Sequence, residues 1–162
     1  MRVLPADPRS RLIVHCDGAA RGNPGPAGIG VVITTPRGRT VAEIAEGIGP
    51  ATNNVAEYRA AIEGLRVAKE KGAKHVLLRS DSRLLVEQLS GRFRVKNPTL
   101  QRLHTEARKL IRELDKVNLE HVPREDNADA DRLANEAVDA WMLTPEGQAY
   151  RQPEPPPSLL DG

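Results

Sequence analysis

The chain has 162 residues, of which 39% are hydrophobic and 28% charged, and its net charge is +2. It is therefore long enough for one globular domain with a sizeable core, and its charge permits a nucleic-acid partner without requiring one. Aromatic residues make up only 2% of the chain, which argues against a single-strand binder that stacks bases on aromatic rings.

The N-terminal half predicts a short arm and then a β-meander. Residues 1–10 are polar and contain two prolines, and we expect a loose N-terminal arm there. Apolar runs rich in β-formers predict strands over 12–17, 28–35 and 40–47, and the turn chemistry of Pro36 and Gly38 makes the last two antiparallel. The segment 18–28 is crowded with Gly, Pro and Asn, which predicts a loop.

The rest of the chain alternates helices with strands. Helices are predicted over 52–71, 83–89, 97–114 and 127–142, and strands over 75–80 and 118–123. This order predicts an α/β fold over residues 11–143, with a five-stranded mixed sheet of three antiparallel and two parallel strands flanked by helices. Residues 144–162 contain five prolines, and we expect a flexible or extended tail outside the fold.

The single cysteine, Cys16, excludes an intrachain disulfide and a cysteine-ligated zinc site. A lone thiol is typical of the reducing cytosol, so we expect a cytoplasmic protein. No segment approaches the length of a membrane span or of a signal-peptide core, and we expect no membrane partner. We also expect a monomer.

Four acidic residues stand at the ends of predicted elements. Asp17 closes the first strand, Asp81 closes the fourth, and Glu57 and Asp131 lie in the first turns of two helices. If the two strands are neighbours at the sheet centre, their carboxyl ends open onto one crevice. Converging carboxylates repel one another unless some are protonated or cations lie between them, and oxygen ligands suit Mg²⁺ or Mn²⁺. Each acid alone is equally well explained as a turn former or a helix-dipole partner.

The sequences around these acids resemble type 1 ribonuclease H. The resemblance spans roughly residues 11–141, and the motifs occur in the family's order: DGAARGNPGPAGIG (17–30), TNNVAEYRAAIEGL (52–65), LLRSDSRLLVEQL (77–89) and VPREDNADADRLANEA (122–137). It implies the ribonuclease H fold, two catalytic Mg²⁺ ions with Mn²⁺ as an alternative, and hydrolysis of the RNA strand of an RNA–DNA hybrid to 5′-phosphate products. The family's metal-binding acids fall on Asp17, Glu57, Asp81 and Asp131.

The resemblance also implies substrate contacts at four asparagines, Asn23, Asn53, Asn54 and Asn127. An amide can hydrogen-bond a 2′-OH without reading the base, which is how a protein distinguishes RNA from DNA. A turn residue at Asn23 and helix caps at Asn53 and Asn127 are the structural alternatives.

Two departures from the family leave questions open. Many relatives carry a catalytic histidine on a flexible loop before the last acid; here His121 precedes Val-Pro-Arg without that loop, so either His121 or Arg124 could assist turnover. Some relatives insert a basic protrusion where this chain has only Arg92–Lys96, so hybrid binding could depend on scattered cations. Compact relatives sometimes also cut double-stranded RNA, which leaves the strictness of substrate choice open.

Three other function classes fit these residues less well. A resolvase-like or transposase-like nuclease would share the acidic cluster but not the GNPGPAG and TNN contexts. A non-catalytic hybrid-binding module does not need four carboxylates, which would repel phosphate without metal ions. A nucleotide-binding domain is excluded, because the loop after Asp17 lacks both G-x-G-x-x-G and a P-loop lysine.

Overall fold

The computed structural model describes residues 10–151, which form a five-stranded sheet with helices on both faces. The strands are β1 (Arg11–Ala20), β2 (Gly25–Thr34), β3 (Thr40–Ala51), β4 (His75–Ser80) and β5 (Lys116–His121). The helices are α1 (Asn53–Glu70), α2 (Arg83–Leu89), α3 (Pro98–Glu113), α4 (Ala128–Met142) and α5 (Pro145–Arg151), and a one-turn 3₁₀ helix, Arg124–Asn127, precedes α4. No helix in this part of the chain is both long and apolar enough to cross a bilayer.

The sheet order is β3-β2-β1-β4-β5. β1 pairs antiparallel with β2, and β2 with β3, whereas β4 is parallel to both β1 and β5. The predicted mixed sheet, with a three-stranded meander followed by two parallel strands, is confirmed. Because β1 and β4 are neighbours and parallel, their carboxyl ends open at the same edge of the sheet.

Successive residues of β2 lie on opposite faces of the sheet and show which helix covers each face. A side chain at Gly64 of α1 would meet Val14 and Val31, so α1 packs closely on that face of β1 and β2. A side chain at Gly30, next to Val31 and therefore on the opposite face, would overlap the backbone of α4. The main core lies under α1 and is built largely from aliphatic side chains, among them Leu12, Ile33, Leu65, Leu78 and Leu89.

Two sequence predictions need correction. The predicted loop over 18–28 is mostly strand, because β1 continues to Ala20 and β2 begins at Gly25, so only residues 21–24 form the turn. The predicted extended tail is wrong for Pro145–Arg151, which form α5. There Gly147 lies against the backbone of Trp141, and the Tyr150 ring packs edge-on against the Trp141 ring at 6.2 Å.

The ends of the chain remain predictions. Residues 1–9 of the expected arm and residues 152–162 of the expected tail lie outside the described residues. Ser10, the last residue of the predicted arm, accepts a hydrogen bond from the Lys74 N–H at 2.9 Å. The domain bounds of 11–143 stay a prediction.

Candidate active site

The pairing of β1 with β4 explains the positions of two of the four acids. Cys16 is in register with Ser80 across the parallel pair, so the next residue of each strand, Asp17 and Asp81, emerges at the same edge. Asp17 is 3% exposed, and Asp81 is half-buried. Ser82 caps α2 through its side chain, which accepts a hydrogen bond from the Leu85 N–H at 3.2 Å. The cap turns the chain immediately after Asp81 and keeps that residue at the strand end.

Glu57 is brought to the same edge by the close approach of α1 to β1. A side chain at Gly18 would overlap the backbone of Ala56 and Glu57, so only glycine allows the first turns of α1 to lie against the end of β1. Thr52 caps the helix by accepting a hydrogen bond from the Val55 N–H at 3.2 Å. Glu57 is thereby held on the inner face of α1 with 5% exposure.

The third contribution comes from α4, which carries Asp131 into the cleft. α4 lies close to β2 because Gly30 leaves room for its first turns, at Ala130 and Ala134. The Asp131 carboxylate is 3.6 Å from the Arg124 guanidinium. It also accepts a longer hydrogen bond from the Asn135 amide, at 3.4 Å, while the same amide donates to the Asp131 carbonyl at 2.9 Å.

The carboxylates of Asp17, Glu57 and Asp81 converge. One oxygen from each lies within 4.8 Å of the other two, and Asp131 lines the same cleft, which has a volume of about 380 Å³. Burial raises the pKa of Asp17 well above its usual range, and the nearby charge of Glu57 raises it further. Burial also raises the pKa of Glu57, against the lowering effect of a hydrogen bond with Asp17. Without cations, the cluster therefore retains protons at neutral pH.

The donor set fits hard divalent cations. Glu57 Oε2 is buried and has no hydrogen-bond partner among the described residues, although an unpaired buried carboxylate oxygen costs free energy unless something binds it. All the converging ligands are carboxylate oxygens, which Mg²⁺ and Mn²⁺ prefer over nitrogen or sulfur. Asp17, Glu57, Asp81 and Asp131 are the residues that would hold such ions.

The asparagines predicted to contact substrate lie in different positions. Asn53 lines the cleft, and its N–H donates to the Asn23 side-chain oxygen at 3.0 Å, so Asn23 ties the β1–β2 turn to the start of α1. Asn54 is exposed beside Asn53. Asn127 is only 1% exposed and its amide donates to the Cys16 carbonyl at 2.9 Å. Asn127 makes no side-chain cap bond to α4; it ties the start of α4 to β1.

The two candidates for assisting turnover differ in their relation to the cleft. Arg124 lines it and its side chain is 77% exposed. His121, at the end of β5, is exposed, and its Nε2 lies 3.3 Å from the Asp81 carbonyl oxygen. His121 thus contacts the backbone of one of the converging acids rather than the cleft itself.

The sequence reasoning missed Asn135 and Ser82, both of which line the cleft. Asn135 lies four residues after Asp131, and residues with this spacing share one face of a helix, so the signal was available. Ser82 follows Asp81 directly, where a helix cap was to be expected.

The family model and the relatives that this chain matches all point to one family. The family model described as reverse transcriptase-like matches residues 15–137. The bifunctional protein Rv2228c of Mycobacterium tuberculosis is 50% identical over 131 residues, which are 80% of this chain and 36% of that protein. Ribonuclease HI of Halobacterium salinarum is 44% identical over 85% of this chain and 69% of its own length.

Among solved structures, LC11-RNase H1 in complex with an RNA/DNA hybrid superposes with a TM-score of 0.77 at 45% identity, covering 81% of this chain and 99% of that one. The chain spans only about a third of the length of the mycobacterial relative. The resemblance found in the four sequence motifs is confirmed: this chain belongs to the ribonuclease H family, type 1.

Proposed function

We propose that this chain is a metal-dependent endonuclease that hydrolyses the RNA strand of RNA–DNA hybrids. The observation that carries the proposal is the convergence of Asp17, Glu57 and Asp81 within 4.8 Å, with the buried oxygen of Glu57 unpartnered. The similarity to a ribonuclease H1 crystallised with an RNA/DNA hybrid supports the choice of substrate. A resolvase-like nuclease or a non-catalytic hybrid-binding module is the alternative.

The four acids would hold two divalent cations, Mg²⁺ or Mn²⁺. Ions held there would supply Lewis-acid activation of a water and stabilisation of the departing 3′ oxygen for hydrolysis of an RNA phosphodiester, which would leave 5′-phosphate and 3′-hydroxyl ends. Asp17 and Glu57 must lose their retained protons to act as ligands, so proton release accompanies metal binding. No side chain of the cleft has to form a covalent intermediate.

Recognition of the RNA strand is assigned to the asparagines near the cleft. Asn53 lines the same cleft as the carboxylates, and its backbone N–H donates to the Asn23 side-chain oxygen. Together with the exposed Asn54, these amides can hydrogen-bond 2′-hydroxyl groups, which DNA lacks. Asn127 acts indirectly, because its buried amide is already bonded to β1.

Arg124 is the better candidate for contact with the scissile phosphate. Its guanidinium is exposed in the cleft and lies 3.6 Å from Asp131, so it can bind a phosphate oxygen while remaining beside a metal ligand. His121 is proposed only to accept or donate a proton near Asp81, because either ring nitrogen of an imidazole can carry a proton and its Nε2 lies 3.3 Å from the Asp81 carbonyl oxygen.

The test is cleavage of an end-labelled RNA–DNA hybrid beside RNA duplex, DNA duplex and single-stranded RNA, with Mg²⁺, with Mn²⁺ and with chelator. We expect metal-dependent cutting of the RNA strand of the hybrid, nearly abolished in Asp81→Asn because a metal ligand is lost. Asp115→Asn is the matched control: Asp115 is exposed just before β5, at the sheet edge opposite the cleft.

Each outcome separates the candidates. Cutting of the RNA duplex as well would extend the activity to double-stranded RNA. Full activity of Asp81→Asn would refute the assignment of that ligand. If folded wild-type protein cut none of the substrates with either metal yet bound the hybrid, the non-catalytic module would be the better account. The cytoplasmic location and monomeric state stay predictions.

A further inference from the structure

A cavity of about 320 Å³ lies at the edge of the sheet opposite the cleft. Arg11, His75 and Lys116 line it, and each of them is the first residue of its strand, in β1, β4 and β5. The three residues are in register, with Arg11 beside His75 and His75 beside Lys116. Because neighbouring strands lie about 4.8 Å apart, the three side chains form a basic row about 10 Å long.

The basic row has no acidic counterpart within the described part of the chain. None of its three residues forms an ion pair with any of the residues 10–151. Further along the same two strands, by contrast, Arg79 and Glu120 are in register and form an ion pair at 3.4 Å. Like charges that stand side by side on neighbouring strands destabilise a sheet, so an anion lying along the basic row would relieve their repulsion.

An apolar strip borders the basic row inside the same cavity. Ile13 and Leu77 follow Arg11 and His75 by two residues, so they lie on the same face of the sheet and are in register with each other. Both are only half-buried, and neither is a residue of the main core. Pro36, from the β2–β3 turn, also lines the cavity. A ligand that lies along the basic row can therefore pack an apolar part against Ile13 and Leu77.

The side chains of the basic row suit a chain of linked phosphates. A guanidinium binds two phosphate oxygens at once, an ammonium binds phosphate as a point charge, and an imidazole offers an N–H in either tautomer. A single phosphate is too short to contact a row about 10 Å long at both ends, whereas three linked phosphates can contact all three side chains. The cavity volume of about 320 Å³ is that of a small-molecule site.

We propose that the basic row binds the triphosphate chain of a nucleoside triphosphate, whose nucleoside packs against Ile13 and Leu77. Arg11 lies six residues before Asp17 on β1, which places the site about 20 Å from the acids and makes it separate from the cleft. Free polyphosphate has the same anionic chain without the apolar part, and the test distinguishes the two ligands. The inference goes beyond the proposed function and does not depend on it, because binding is measured without divalent cations or cleavage.

The test is isothermal titration calorimetry of the full-length protein with ATP, inorganic tripolyphosphate and orthophosphate, in a low-salt buffer with EDTA. The chelator removes divalent cations, which would otherwise bridge phosphates to the carboxylates of the cleft. We expect ATP to bind most tightly, and orthophosphate to bind at least about tenfold more weakly than tripolyphosphate, because it loses at least one charge-assisted contact. Arg11→Ala/Lys116→Ala should weaken binding of ATP and tripolyphosphate at least about tenfold, whereas Leu77→Ser should weaken only that of ATP.

The matched control is Arg102→Ala/Lys109→Ala, which removes one exposed arginine and one exposed lysine from α3. This helix packs with α1 into the core on the other face of the sheet, so the control should bind like the wild type. An equal loss of affinity in the control overturns the proposal, because only net charge would then matter. Absence of saturable binding of both ATP and tripolyphosphate to the wild type also overturns it. Equal affinities for ATP and tripolyphosphate overturn the apolar contact and leave free polyphosphate as the ligand.

Urea denaturation with EDTA gives an independent measurement of the same site. Without ligand, Arg11→Ala/Lys116→Ala should be at least as stable as the wild type, because it removes the like charges from the row. ATP should stabilise the wild type and not the double variant, since a ligand stabilises only a native state that binds it. Equal stabilisation of the two proteins by ATP would overturn the assignment of the site to the basic row.

Discussion

Replacing Asp17 by asparagine should stabilise the metal-free protein at alkaline pH. Asp17 is almost completely buried beside Glu57 and Asp81, and its pKa is raised, first by burial and then by Glu57. A raised carboxyl pKa means that the folded state binds more protons than the unfolded state above about pH 4, the ordinary pKa of aspartate. Stability is therefore full below that pH and is lost as pH rises toward the raised pKa.

The magnitude can be estimated in two ways. A group that stays protonated only in the folded state loses about 1.4 kcal/mol of stability per pH unit, or about 4 kcal/mol between pH 5 and pH 8. Alternatively, the repulsion that proton retention avoids, between two carboxylate charges about 5 Å apart at an effective dielectric constant of about 20, is about 3 kcal/mol. The carboxylate oxygens lie within 4.8 Å of one another, so both routes give about 3–4 kcal/mol.

The assay is urea denaturation with chelator present at pH 5 and pH 8, on the wild type, Asp17→Asn and the exposed control Asp115→Asn. At pH 8 Asp17→Asn should be more stable than the wild type by about 3 kcal/mol, whereas at pH 5 the two should differ by less than about 1 kcal/mol. Adding Mg²⁺ should stabilise the wild type and not the variant. A wild type whose stability does not change between pH 5 and pH 8, with no gain in Asp17→Asn, would refute the reasoning.

Three further predictions concern the contacts that hold the site. Tyr58→Phe leaves the buried Gln88 oxygen without its donor and should cost about 1–3 kcal/mol in urea denaturation. Gly30→Ala forces a methyl group into the backbone of α4; it should cost about 3 kcal/mol and weaken Mg²⁺ binding, measured by calorimetry, because Asp131 lies on that turn. Asn127→Ala removes the buried hydrogen bond from the Asn127 amide to the Cys16 carbonyl and should cost about 1–3 kcal/mol. It should also reduce cleavage, because Arg124 and Asp131 would be displaced, and unchanged stability would contradict the role given to the amide.

Most of the fold could be predicted from local sequence because each element carries its own start and stop signals. Thr52 and Asn97 cap α1 and α3 as side-chain acceptors, at the residues where the two helices were predicted to begin. The placement of Asp17 and Asp81 followed from the topology alone, since neighbouring parallel strands must end at one edge.

The wrong predictions of the loop over 18–28 and of the extended tail have a common cause, which is packing between segments that are distant in the sequence. Gly18 was read as a loop residue, although it lies in β1 where α1 approaches the sheet too closely for a side chain. Gly28, at the boundary between the predicted loop and the predicted strand, lies in β2 against α4 for the same reason. That requirement comes from segments far away in the sequence. Likewise, α5 depends on packing against Trp141, which the proline content of the tail could not reveal.

The four acids come from β1, α1, the end of β4 and α4, so no fragment shorter than residues 17–131 carries the complete set. Cation binding by the full set is consequently a property of the assembled domain, and an ion that binds only the native state adds about 2.7 kcal/mol at a hundred times its dissociation constant. Cleaving the chain at Gly91, an exposed glycine with a φ of +81° between α2 and α3, would leave three acids on one piece and Asp131 on the other. If metal affinity returned when the two pieces were mixed, it would measure directly how much of the domain had reassembled.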